Sequence, residues 1–255
     1  MTQTRSHGTI TTAIQHQIAT IEFAHPASNS FERTQLDALT HSFQELSNNP
    51  NVSVIVLQSQ GTGAFCAGAS FKELLAVTTP EQGRNFFSGF AHLIQAMRDC
   101  PKIILGRIHG KAVGGGVGII AACDYTLATT NASIKLSELA IGIGPFVIEP
   151  AVSHKIGKTA MAAMTLEPDQ WQSPQWAHQK GLYTQLHQDQ PSLDQAVAER
   201  AAKLASYNPE ALTQLKKILW HNTPNWEQLM LERATISGQL VLSQHTKTAL
   251  EQFKK

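Results

Sequence analysis

The chain has 255 residues, 42% of them hydrophobic, and its 20 lysines and arginines against 19 aspartates and glutamates leave a formal net charge of +1. That length supports one large domain, or one domain with an appendage, around an ample core. The near-balance of charge removes the electrostatic footprint of a nucleic-acid binder, so no nucleic-acid partner is expected.

Alternating residues over Thr9–Gln15 and Ile18–Phe23 predict an opening hairpin. Leu36, Leu39, Phe43 and Leu46 then fall at helical spacing between Phe31 and Ser47. An apolar strand is expected over Val52–Leu57, followed by the small-residue loop GTGAFCAGASF from Gly61 to Phe71. Thr79 reads as an N-cap with Pro80 in the first turn, and Phe86, Phe87, Phe90, Leu93, Ile94 and Met97 give that helix a broad apolar stripe up to Cys100.

A strand over Lys102–Ile108 leads into HGKAVGGGVGIIAACD, where a glycine triplet opens an apolar helix. Gly114, Gly115 and Gly116 lack β-carbons, so backbone and ligand can approach closely while the helix's first unpaired amides point outward. Such a helix start favours negative charge. With no GxxxxGK[ST] run present, an oxyanion suits it better than a nucleotide phosphate. Tyr125–Ala128 and Ser133–Leu136 return as strands, and from Leu193 the pattern is helical only, over Leu193–Ser206, Pro209–Trp220 and Trp226 to about Phe253. Strands alternating with helices predict an α/β core.

Three cysteines, Cys66, Cys100 and Cys123, sit in apolar surroundings and cannot all pair, which fits buried thiols in a reducing compartment. Cys66 lacks a basic neighbour and is read as structural, not as a nucleophile. The opening MTQTRSHGTITTA carries no apolar stretch of signal-peptide length, and no segment reaches the ~18 uninterrupted apolar residues of a membrane span. A cytoplasmic protein without a membrane partner is the expectation.

Taken together, FCAGASFKEL and HGKAVGGGVG resemble the paired signature loops of the crotonase (enoyl-CoA hydratase/isomerase) superfamily. The resemblance extends through Cys123-Asp124, the strand SIKLSE ending at Glu138, the loop AIGIGP and the helix VSHKIGKTAMAAMTL, and covers the chain from about Ile10 onward. It implies an α/β fold with a crotonase-like ββα spiral core over residues 1–192, holding an acyl-CoA site. It further implies a helical C-terminal trimerisation region over 193–255 and a homo-oligomer, trimer or hexamer.

For the site, the resemblance implies an oxyanion hole made by the amides of Ala69 and Gly115, which would hold a thioester oxygen as an enolate forms. Glu138 matches the family's catalytic glutamate. Ala67, Gly68 and Lys72 are expected to contact the coenzyme A part of the substrate, together with Phe253 and Lys254 of an adjacent subunit. No metal and no permanently bound cofactor are implied; coenzyme A arrives with the substrate. Ser70 stands where the family often has aspartate, which alters how that loop is braced.

The departure is Gly118, which replaces the second glutamate of the water-adding members. It lies three residues after Gly115 on one helix, so a side chain there is expected to project beside the hole and its absence to leave that space open. One carboxylate favours isomerisation. Hydration, thioester hydrolysis and decarboxylation remain alternatives on the same scaffold, as does a non-catalytic acyl-CoA or RNA-binding module. Glu149 is the candidate replacement acid, although a carboxylate at a helix start serves the helix dipole more readily.

Overall fold

A computed structural model describes residues 7–223 and 225–251. The chain opens with β1 (Thr9–Gln15) and β2 (Ile18–Ala24), an antiparallel hairpin. Then come α1 (Arg33–Ser47), β3 (Val54–Ser59), the short α2 (Phe71–Leu75) and the long α3 (Pro80–Asp99). Thr79 does cap α3, its side chain accepting the Gln82 amide at 3.2 Å. β3 begins two residues later than its apolar run. Val52 is still tied to the preceding turn, its amide donating to the Asn49 carbonyl.

Next are β4 (Ile103–Ile108), β5 (Ala112–Val113), α4 (Gly115–Ala122), β6 (Tyr125–Thr129) and β7 (Ile134–Lys135). A 3-10 turn (Glu138–Ile141) leads on to α5 (Glu149–Leu166), α6 (Pro174–Gln179) and β8 (Gln185–His187). Helices α7 (Gln190–Ala205), α8 (Pro209–Leu219), α9 (Trp226–Leu240) and α10 (Gln244–Glu251) follow. The single helix expected from Trp226 onward is therefore broken after Leu240. Ser243 restarts it, its hydroxyl accepting the Thr246 amide at 3.2 Å.

Among the described residues, six strands form one sheet in the order β1-β2-β3-β4-β6-β8, parallel from β2 onward, while β5 and β7 pair separately as a small parallel ribbon. Because side chains alternate across a strand, β3 and β4 feed two cores. Ile55, Leu57, Ile104 and Ile108 join the larger one with α1, α3, α4 and α5. Val54, Val56, Ile103 and Leu105 face the other way, against Leu193 and Val197 of α7 and Leu212 of α8. A third cluster ties Leu74 and Phe86 to Ile143, Val241 and Leu250, packing α2, α3, the end of α9 and α10 together.

Asp124, between α4 and β6, braces the sheet and also pins the C-terminal helices. Its carboxylate accepts the Ile104 amide at 2.8 Å and the Trp220 indole at 2.7 Å, and pairs with Lys216 at 2.9 Å. The lysine is buried too, and its ammonium also donates to the Met97 and Lys102 carbonyls. These added bonds offset the cost of burying both charges. Among the described residues, no helix is long and apolar enough to cross a membrane.

Candidate active site

The two small-residue loops meet, as their composition predicts. Cys66 and Ala112 form a parallel bridge, the Val113 amide donating to the Cys66 carbonyl at 2.9 Å. Close approach depends on missing side chains. A Cβ on Gly116 would stand 2.8 Å from Cys66 Cβ and 2.9 Å from its sulfur, and one on Gly68 only 3.0 Å from the Val113 carbonyl oxygen. Gly68 and Gly114 also take positive φ, +88° and +54°, which glycine adopts at no steric cost.

On the first loop, Phe31 bridges Ala69 by bonding to both of its neighbours. The Phe31 amide donates to the Gly68 carbonyl at 2.8 Å, and the Ser70 amide to the Phe31 carbonyl at 2.7 Å. In this pairing the amide of Ala69 itself points away from Phe31. On the second loop, Gly115 is the first residue of α4, and its amide belongs to the helix's unpaired first turn. Neither the Ala69 nor the Gly115 amide has a protein acceptor among the described residues. Both residues line a cavity of about 450 Å³ that Glu138 also lines.

Glu138 stands at the start of the 3-10 turn, three residues past the end of β7, and Gly114 makes its placement possible. A Cβ on Gly114 would fall 2.7 Å from Glu138 Oε1. The other carboxylate oxygen, Oε2, is buried with no hydrogen-bond partner among the described residues. Burial pushes the carboxyl from 4.5 up to about 7, partly offset by backbone hydrogen bonds from Glu138 itself and Ser137. A group so poised can take up and release a proton near neutral pH. Two unpaired amides beside it can bind an oxygen that gains negative charge.

Cys66 behaves as expected of a structural thiol: burial pushes it up to about 12, so it stays protonated. Ser70 braces the first loop by capping α2, its hydroxyl accepting the Glu73 amide, while the Glu73 carboxylate accepts the Arg33 amide at 2.9 Å. His109 is buried beside Arg107, 3.2 Å away, and burial holds its imidazole down to about 4. It stays neutral at physiological pH.

Gly118 requires a correction. The space it was expected to leave open is filled by Ile148, whose Cγ2 lies 2.5 Å from where a Cβ on Gly118 would stand. Ile148 itself lines the cavity, whereas Gly118 does not. Glu149 is committed elsewhere, paired with Arg233 and accepting a hydrogen bond from Ser153 at 2.5 Å. Ala67 and Gly68 line the cavity; Lys72 sits exposed on α2 just outside it. Phe253 and Lys254 lie outside the described residues. The aromatic wall of Phe71, Phe86, Phe87, Phe90 and Phe146 was not assigned from sequence, although the phenylalanines of α3 were visible there as a helical stripe.

The fold is that of a crotonase scaffold, and comparison with known proteins agrees. The sequence profile of the enoyl-CoA hydratase/isomerase family matches residues 13–254, and the chain belongs to that family. It is 26% identical over 246 residues to a probable enoyl-CoA hydratase of Bacillus subtilis, covering 96% of this chain and 95% of that one. It is 29% identical over 189 residues to the peroxisomal Delta(3,5)-Delta(2,4)-dienoyl-CoA isomerase of Arabidopsis thaliana, covering 68% and 66%. The crystal structure of an enoyl-CoA hydratase from Bacillus halodurans superposes with a TM-score of 0.88 at 21% identity, covering 95% of this chain and 99% of that one. That likeness defines the crotonase fold.

Proposed function

We propose that this enzyme isomerises enoyl-CoA thioesters by a single-carboxylate proton transfer. The Ala69 and Gly115 amides hold the thioester oxygen, and Glu138 removes a proton from C2 of a 3-enoyl chain. The electron pair moves into a dienolate whose oxygen charge the two amides stabilise, each typically by ~3 kcal/mol. The protonated Glu138 then returns its proton at C4, leaving the 2-enoyl product and the original carboxylate. Lys72 is suited to a coenzyme A phosphate, and a homo-oligomer is the assembly in which residues 253–254 of a neighbour would add to it.

The observation that carries this reading is Ile148 seated over Gly118. It puts an apolar side chain where a second acid would have to reach, while Glu149 is held by Arg233. Hydration is the second reading, favoured by the name of the Bacillus subtilis relative; Glu138 alone would then have to activate the water. Incubation of 3-enoyl-CoA and 2-enoyl-CoA thioesters in deuterated, ¹⁸O-enriched water separates the two. Double-bond migration without ¹⁸O uptake is expected, and a 3-hydroxyacyl-CoA as the main product would overturn isomerisation.

A further inference from the structure

At the rim of the same cavity, Trp171 is flanked by two cations. The ammonium groups of Lys111 and Lys135 each stand 4.9 Å from its ring centre. Backbone pairing fixes all three. Lys111 directly precedes β5, β5 pairs with β7, which ends at Lys135, and Ile134 exchanges two hydrogen bonds with Gln172 at 3.1 and 2.9 Å. Trp171 is thereby held beside the ribbon.

Neither lysine has a carboxylate within 4.0 Å among the described residues. Asp169 lines the same rim and is also outside ion-pair distance of both. Two cations against one acid leave the rim net positive. The indole face attracts each ammonium, and an anion beside both would relieve their mutual repulsion.

We propose that Lys111, Trp171 and Lys135 receive the carboxylate of a thioester whose acyl chain carries a negative charge at its far end. Lys135 is the one cation lining the cavity among the described residues, against a wall otherwise rich in phenylalanine. Its Cα lies at most about 11 Å from that of Glu138, three residues along the chain. That is the scale of an acyl group. The coenzyme A pyrophosphate, in contrast, is separated from the reacting carbons by the whole pantetheine arm. The indole offers a flat wall for the chain, and the paired ammonium groups take the charge.

This inference rests on the thioester reading above, so the test measures binding and not turnover. Dissociation constants of hexanoyl and adipoyl thioesters, each prepared on coenzyme A and on phosphate-free pantetheine, are compared by calorimetry. The wild-type protein is set against Lys111→Gln/Lys135→Gln, with single Lys111→Gln as the milder change and Lys135→Arg as the charge-preserving control. The preference for adipoyl over hexanoyl is expected to fall about tenfold in the double variant, in both carrier series, and to persist in Lys135→Arg.

An unchanged preference overturns the proposal. So does a loss that affects hexanoyl-CoA and adipoyl-CoA equally and vanishes on pantetheine, because the lysines would then hold the coenzyme's phosphates. If the wild-type protein binds no thioester at all, the thioester reading itself falls, and the acyl-carboxylate site with it.

Discussion

Ile148 occupies the place into which any side chain at Gly118 would project: a Cβ there would stand 2.5 Å from Ile148 Cγ2 and 2.7 Å from its Cβ. The two positions lie 30 residues apart, one inside α4 and one at the threshold of α5, so their contact is a property of how those helices pack. It converts the absence of an acid into a filled apolar wall.

Gly118→Glu is therefore expected to destabilise the protein without creating a hydratase. Overpacking at a buried site typically costs ~1–3 kcal/mol, and an unpaired buried carboxylate adds to that. Thermal unfolding together with ¹⁸O uptake checks it. Gly118→Glu with Ile148→Ala should recover part of the stability, and the idea fails if Gly118→Glu alone melts like wild type.

For Glu138, pH dependence is expected in both activity and stability. The carboxylate must be ionised to accept a proton, so kcat/KM should rise through an apparent pKa near 7. Glu138→Gln should lower kcat by ~10²–10⁴. The same raised value bears on folding. Below about 4.5 the group is protonated in both folded and unfolded chains. Between 4.5 and 7 only the unfolded chain ionises freely, so folded stability declines as pH rises through that window. Glu138→Gln should remove this loss, gaining on the order of 3 kcal/mol over wild type at pH 8 compared with pH 4. Chemical denaturation at the two pH values gives the answer, and an equal difference at both would rule out a buried ionising carboxyl.

Gly115→Ala is expected to disturb the hole through Phe90. The new Cβ would lie 2.3 Å from Phe90 Cε1 and 2.4 Å from Cζ, and Phe90 is backed by the ring of Phe31 in an edge contact at 6.4 Å. Pushing α4 away from its mark should cost roughly 10²–10³ in kcat, the usual effect of losing one oxyanion donor. KM should change less. Phe90→Leu in the same chain should restore part of the rate, and wild-type kcat for Gly115→Ala would remove Gly115 from the hole.

Much of this site is local in sequence and was legible there. The glycine runs at 61–71 and 110–118, the Thr79-Pro80 helix start and the alternating hairpin depend on near neighbours, and each has its counterpart in the structure. What escaped depends on distant partners. The Ile148 plug, the Arg233–Glu149 pair and the two lysines on Trp171 join segments brought together only by the ribbon and the helices around it. The break between α9 and α10 was missed for another reason. Ser243 competes for the Thr246 amide within a run whose apolar spacing continues uninterrupted.

The contact of Gly116 with Cys66 divides the cavity into parts with different freedom to vary. With under 3 Å to spare at the missing Cβ, the loops that present Ala69 and Gly115 act as one prefabricated fitting, which substrate has no need to assemble. The remaining wall is built from side chains on α3, the 3-10 turn, the approach to α5 and the Trp171 segment, which pack against that fitting without supplying its amides. Exchanging a residue such as Ile148 or Lys135 would thus redirect the reaction or its clientele while the grip on the reacting oxygen stays as it was. The grip on the oxygen is inherited here through the backbone, and selectivity is written in side chains that can be rewritten one at a time.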